Sequence, residues 1–316
     1  MKKIRMMLVG VLVISLVSLV MACPAPVEKV TIYTGGTAGT YYPLGGAMAK
    51  IITDYAPGVE ATAVTSGASV TNARKIGEKE ADIILLQNDI ASYAYYGAEM
   101  FEGSPVENIR GIATLYPELI QIIALEGINT VDDLKGKKVG IGAPGSGTAA
   151  CALQILNAAG ITRANTDLRD LDFKEVSAAL KDKTIDAGVI VAGIPTAAVI
   201  DVSTVREVMP VAVPDEIYEK IKSQYPFYVK TLIPAGTYKG MDKDVQTVAV
   251  MAMLAIRSDF TEDVVYEITK AIFEHTDILV ATHKRAVDIT LETALDGMSI
   301  PLHPGVEKYF KEKGLL

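Results

Sequence analysis

The sequence predicts an α/β fold of two doubly wound sheets joined by a two-strand hinge, and three observations carry that reading. β-Branched runs end repeatedly in turns rich in glycine or hydroxyl residues that open amphipathic helices. The scheme occurs twice along the chain, first over residues 29–96 and again over residues 138–203. Two long apolar runs, residues 109–124 and 248–256, separate the two sets and read as extended crossings between lobes.

In chain order, residues 29–34 alternate as a strand, Gly35, Gly36 and Gly39 break it, and residues 42–54 resume at helical spacing with Pro43 in the first turn. Residues 61–65 form a second strand, followed by Ser66, Gly67, Ala68 and Ser69 and a helix through Asn72 and Lys75. Residues 81–86 form a buried strand ending in Gln87, Asn88 and Asp89. Parallel strands that deliver their C-terminal ends into polar loops place a ligand at those ends. The first crossing is interrupted by Tyr116, Pro117 and Glu118. Beyond it come a short helix at 131–136, a strand at 138–141, and a second glycine loop, residues 142–148, opening a helix that runs to Ala159. Residues 173–180 are helical, residues 185–191 form a strand, and Ala192, Gly193, Ile194 and Pro195 turn it into another helix. The remainder, 261–310, is expected to be mostly helical and to pack back on the first lobe.

The amino terminus adds a compartment. Lys2, Lys3 and Arg5 precede an apolar segment, 6–22, that is short for a membrane span and closes in small residues before Cys23. This pattern resembles a bacterial lipoprotein signal. It implies a signal peptide over 1–22, lipidation of Cys23, a tether over 23–28 and an extracytoplasmic, membrane-anchored protein; an uncleaved anchor helix is the alternative. Removal of the signal leaves 294 residues, enough for two lobes, with 27 basic and 38 acidic residues, a net charge of −11. So acidic a surface excludes a nucleic-acid binder as a working class. Cys23 and Cys151 are the only cysteines, and with the first lipidated no disulfide is expected. No repeat or low-complexity tract follows Pro26, which argues against a solenoid or stalk.

The two glycine loops place backbone amides at helix N-termini, where the partial positive charge favours an anion. Thr37, Thr40, Ser146 and Thr148 add hydroxyls, although such residues also serve simply as helix caps. Neither loop has the lysine of a Walker motif or dinucleotide-fingerprint spacing, and Ser146 lacks the flanking glycines of a nucleophile elbow. Ser66 and Ser69 either reach a ligand or cap their own helix. Gln87 offers a neutral amide at a strand end, and Tyr41, Tyr42 and Tyr116 suit the wall of a small-molecule cleft. His275, His283 and His303 lie far along the chain from every loop and read as isolated surface imidazoles with no zinc spacing. Cys151 reads as a small buried residue. Asp82 and Asp186 each precede a buried strand and do not form a catalytic pair.

The runs at 36–46 (GTAGTYYPLGG), 66–70 (SGASV), 115–118 (LYPE), 142–148 (GAPGSGT), 233–238 (IPAGTY) and 300–305 (IPLHPG) resemble the TAXI family of TRAP transporter solute receptors over essentially the whole chain after the signal. The resemblance implies a two-lobed fold like the type II periplasmic binding proteins, with lobe I at 29–119 plus 250–316 and lobe II at 120–249. It further implies a small carboxylate ligand such as glutamate, glutamine or a dicarboxylate, a sodium-coupled membrane permease as partner, and a monomer without cofactor or metal. Ligand contact is carried onto Thr37, Thr40, Tyr42, Ser66, Ser69, Gln87, Ser146, Gly147 and Thr148, with Tyr41, Tyr116 and Pro195 beside them. No arginine clamp is expected, since Arg74 is the only arginine near a first-lobe loop. The expected function is reception of a solute without catalysis. A receptor for an ATP-driven importer is the nearest alternative, and an extracytoplasmic hydrolase using Ser146 the more distant one.

Overall fold

The computed structural model describes residues 27–316, so the signal segment and Cys23 lie outside the described residues. The first half of the fold runs β1 (Glu28–Tyr33), α1 (Tyr41–Tyr55), β2 (Val59–Val64), α2 (Ser69–Gly77), β3 (Ile83–Gln87) and α3 (Asn88–Tyr96). The first crossing, β4 (Ile109–Leu125), leads into β5 (Lys138–Gly140), α4 (Gly147–Ala158), β6 (Asp167–Arg169), α5 (Phe173–Lys181), β7 (Ala187–Ala192) and α6 (Ala197–Ser203). There follow β8 (Val208–Val211), α7 (Asp215–Gln224), β9 (Val229–Ile233) and the second crossing, β10 (Val245–Arg257). The chain closes with α8 (Glu262–Glu274), α9 (Thr276–Thr282) and α10 (Pro304–Glu312).

Hydrogen bonds join these strands into one mixed ten-stranded sheet, ordered β2-β1-β3-β10-β4-β7-β5-β6, with β8 on β4 and β9 on β10. The expected two sheets are therefore a single one, because β4 and β10 are long enough to belong to both halves. Each half repeats one plan. Parallel strands, β2-β1-β3 in the first and β6-β5-β7 in the second, meet an antiparallel crossing strand, β10 or β4. The antiparallel β4/β10 ladder changes register between Met251 and Met253. Pro117, which has no N–H to donate, lies opposite Met251, so the break falls where the chain passes between halves.

Two aspartates recur in matching places. Asp82, just ahead of β3, accepts a hydrogen bond from Thr31 N at 2.8 Å. Asp186, just ahead of β7, accepts one from Lys138 N at 2.8 Å. Each carboxylate ties the start of one strand to its parallel neighbour, which satisfies a main-chain donor that the ladder leaves open.

On one face of the first half, Ile32, Leu44 and Ile52 pack with Val265, Ile272, Tyr309 and Phe310, so the C-terminal helices cover this half as expected. In the second half Val139, Cys151, Ile155, Val189 and Tyr228 form a core between the sheet and α4. The histidines depart from expectation. His303 is buried and its Nδ1 accepts from Gly305 N, capping α10; His283 Nδ1 accepts from Arg285 N; and His275 stacks on Tyr55 with ring centres 3.6 Å apart. Helix α10 lies so close to α8 that a Cβ at Gly305 would overlap the Glu262 carbonyl and sit 2.7 Å from Tyr266 N. Gly305→Ala is expected to destabilise the protein by about 1–3 kcal/mol, read as a lower urea midpoint with an unchanged slope.

Candidate functional site

The starts of α1, α2 and α4 come together around an interior cavity of about 270 Å³. The first amides of each helix have no intrahelical acceptor and carry its partial positive charge. Thr40 and Tyr41 open α1, Ala68 and Ser69 open α2, and Ser146, Gly147 and Thr148 open α4; all of them line the cavity. The β1–α1 loop contributes Thr37, the end of β3 contributes Gln87, and the middle of β4 contributes Glu118. Asp172, Phe173 and Lys174, at the start of α5, complete the wall. The cavity thus lies between the two halves of the fold, beside the β4/β10 crossing.

The halves are drawn together in this arrangement. Thr71 N donates to Gly145 O at 3.0 Å, and Thr40 Oγ1 donates to Gly193 O at 3.4 Å. Tyr93 of the first half meets Phe227 of the second edge to face at 5.8 Å. The tightest approach is at Gly147, where an added Cβ would overlap Gln87 Oε1 and lie 2.9 Å from Ser69 Oγ. A larger residue there would have to displace the buried Gln87 amide and Ser69 hydroxyl. Ala68, at the N-cap of α2, has φ +65° and ψ −150°, a conformation that costs an L residue about 1–3 kcal/mol and that recurs at ligand sites.

Several cavity hydroxyls are already engaged. Ser146 Oγ accepts from Ala149 N at 3.0 Å and donates to Ala143 O at 2.7 Å, so it caps α4. Ser69 Oγ accepts from Gln87 N, and Ser66 Oγ donates to Thr34 O while accepting from Ala68 N. These serines shape the loops; the main-chain amides of the helix starts, with the Thr37 and Thr148 hydroxyls, are left as donors to an anion.

Two buried carboxyls stand at the meeting of the halves. Glu118, 2% exposed, accepts a hydrogen bond from Tyr41 Oη at 2.7 Å. Burial pushes its pKa up to about 8, against the opposing pull of the Tyr41 hydrogen bond, with Asp89 adding a like charge. Asp89, fully buried at the start of α3, is likewise pushed up to about 7 by burial. Cys151 Sγ of the second half lies 3.9 Å from Asp89 Oδ2 and 3.6 Å from Gln87 Oε1. Nearby, Tyr228 donates to Gln154. Burial also raises the Cys151 thiol well above its ordinary value, so it is a neutral packing group here.

Of the expected residues, Thr37, Thr40, Tyr41, Ser66, Ser69, Gln87, Ser146, Gly147 and Thr148 share this one cavity. Three lie elsewhere. Tyr42 is exposed on the outer face of α1, because successive residues of a helix point about 100° apart and Tyr41 takes the inward position. Tyr116 is fully buried in the core of the first half with its hydroxyl unpartnered; it stands two residues short of Glu118 on β4, and that step leaves it beneath the cavity wall. Pro195 follows a cis peptide bond beyond the cavity wall. Arg74 donates to Met100 O and covers the Phe101 ring, away from the cavity. Glu118, Asp172, Phe173 and Lys174 are among the lining residues that sequence reasoning misses. Glu118 carries a signal, a charged residue inside an otherwise apolar crossing; Lys174 carries none.

A family profile described as the NMT1-like family matches residues 32–314. The chain belongs to the NMT1-like family. Among solved structures, the alkanesulfonate-binding protein SsuA from Xanthomonas axonopodis pv. citri, bound to MOPS, is similar at 15% identity and a TM-score of 0.52, covering 91% of this chain and 84% of that one. The ligand-binding component of an ABC-type import system from Staphylococcus aureus, with zinc bound, aligns at 12% identity and a TM-score of 0.52, covering 92% and 93%. A binding-protein component of an ABC phosphonate transporter from Pseudomonas aeruginosa aligns at 10% identity and a TM-score of 0.53, covering 83% and 80%. At these identities the likeness establishes the fold, that of transporter-associated binding proteins. Among the described residues no helix is long and apolar enough to cross a membrane.

The close approach at Gly147 and the raised carboxyls can each be tested. Gly147→Ala is expected to oppose closure by about 1–3 kcal/mol, roughly a five- to 150-fold lower ratio of closed to open forms, seen as a larger radius of gyration in small-angle scattering. The carboxyls set a pH dependence. Their stabilisation of this closed, folded form is full below the ordinary carboxylate pKa of about 4, and is lost as pH rises towards 7 for Asp89 and 8 for Glu118. The calorimetric melting temperature should therefore fall between pH 5 and pH 8, and Asp89→Asn should flatten the part of that fall below pH 7.

Proposed function

We propose that the protein is an extracytoplasmic solute receptor that holds a small organic anion between two lobes and presents it to a membrane transporter, without catalysis. One observation carries this reading: three helix N-termini from both halves of the fold line a single cavity of a size suited to a small metabolite. Lys174 at the same wall adds the one cationic side chain of the lining. A solute that touches both walls stabilises closure by its differential affinity for the closed form, which gives the motion a thermodynamic cause. The working division is lobe I at 29–119 plus 250–316 and lobe II at 120–249, with the β4/β10 crossing as the hinge.

The anion class is open to carboxylates, which the sequence runs suggest, and to sulfonates or phosphonates, the ligand types named for two of the structural neighbours. On the transporter, the neighbours named for ABC-type systems favour an ATP-driven importer, whereas the sodium-coupled TRAP reading rests on the sequence runs alone. Anchoring through Cys23 remains part of the proposal, carried by the sequence pattern. A serine hydrolase is disfavoured by the engagement of Ser146 in capping its own helix.

The test is a thermal-shift screen against carboxylates, sulfonates and phosphonates. A ligand at a hundred times its dissociation constant adds about 2.7 kcal/mol of stability, a rise of several degrees. No shift with any anion would remove the receptor reading. Receptor-dependent uptake into vesicles, energised by ATP in one arm and by a sodium gradient in the other, separates the two transporter classes.

A further inference from the structure

We propose that Glu118 is the counter-charge for a protonated nitrogen on the ligand, so that the cavity selects small molecules carrying an ammonium as well as an anionic group. The inference rests on the receptor reading and narrows its ligand class.

Glu118 reaches the cavity from the middle of β4, while the helix starts and Lys174 border it from the loops. The cavity therefore presents two kinds of surface, amide-rich turns that suit an anion and, on β4, a buried carboxylate that does not; the other lining carboxylate, Asp172, accepts from Glu175 N as the cap of α5. The carboxylate is held in place. Tyr41 Oη is 2.7 Å from its Oε2, and the Gln87 side chain also favours its ionised form. What it lacks is a cation. Among the described residues no lysine, arginine or histidine pairs with it, and the charged group that acts on it, Asp89, has the same sign. A carboxylate buried this deeply without a partner is costly. The empty closed cavity relieves the cost by protonation, in keeping with a pKa of about 8. A bound ammonium relieves it directly, with a charge-assisted hydrogen bond in place of the proton. A ligand bearing only negative groups would offer Glu118 no such partner and would hold it in its protonated form.

The decisive measurement compares matched pairs by isothermal titration calorimetry at pH 7.5 on the wild-type protein: L-glutamate against glutarate, L-leucine against 4-methylpentanoate, taurine against ethanesulfonate, and 2-aminoethylphosphonate against ethylphosphonate. In the pair whose anion suits the site, the amine-bearing member should bind at least about tenfold more tightly. Glu118→Gln, which keeps the size and the Tyr41 contact, should abolish that preference. Equal binding within each pair, or tighter binding of the amine-free member, would overturn the role of Glu118 and leave the anion receptor standing. Retention of the preference by a folded Glu118→Gln would overturn it as well. Absence of binding by every member would overturn both the inference and the receptor reading beneath it. Because the paired comparison is made on the wild-type protein, the result stands even if the variant does not fold.

Discussion

Everything at the site depends on the antiparallel ladder between β4 and β10. These two strands are the members of the sheet common to both halves, and their register break opposite Pro117 marks the passage from one to the other. A ladder whose register breaks near its waist, and again between Leu254 and Ala255, loses regular hydrogen bonds there, which favours bending about that stretch. One of its residues lines the cavity: Glu118, one residue past Pro117, sits on the crossing strand beside the register break.

That coupling gives the buried polar groups a meaning that packing alone does not. Gln87 and Asp89 from the first half meet Cys151 from the second, and Tyr93 meets Phe227. None of these side chains would stay shielded if the halves parted. Closure therefore sets the burial of apolar surface along this seam, which favours it, against the desolvation of two carboxyls, which opposes it. A solute that compensates Glu118, the one of the two that lines the cavity, tilts the balance by more than its size suggests.

Much of this was legible in the sequence, for physical reasons. Strand-to-helix turns announce themselves through glycine and hydroxyl residues, and nine of the twelve expected ligand positions are found around one cavity because such turns sit at the ends of neighbouring parallel strands. The two crossings were visible as long apolar runs because both faces of β4 and β10 are covered. The misses have causes of the same kind. Tyr41 and Tyr42 differ by one helical step, and Tyr116 and Glu118 by one repeat of a strand, yet only one of each pair reaches the cavity; composition cannot choose between them. Strands β6 and β8 have three and four residues, too short for a periodicity to register. His303 looked solitary because its partner, the amide of Gly305, belongs to the backbone.

The sulfur of Cys151 is fully buried on the inner wall of the second half, facing Gln87 and Asp89 across the seam, and its thiol is held neutral. Under the proposed receptor reading, the rate at which an electrophile modifies this thiol would report how often the walls part far enough to uncover it.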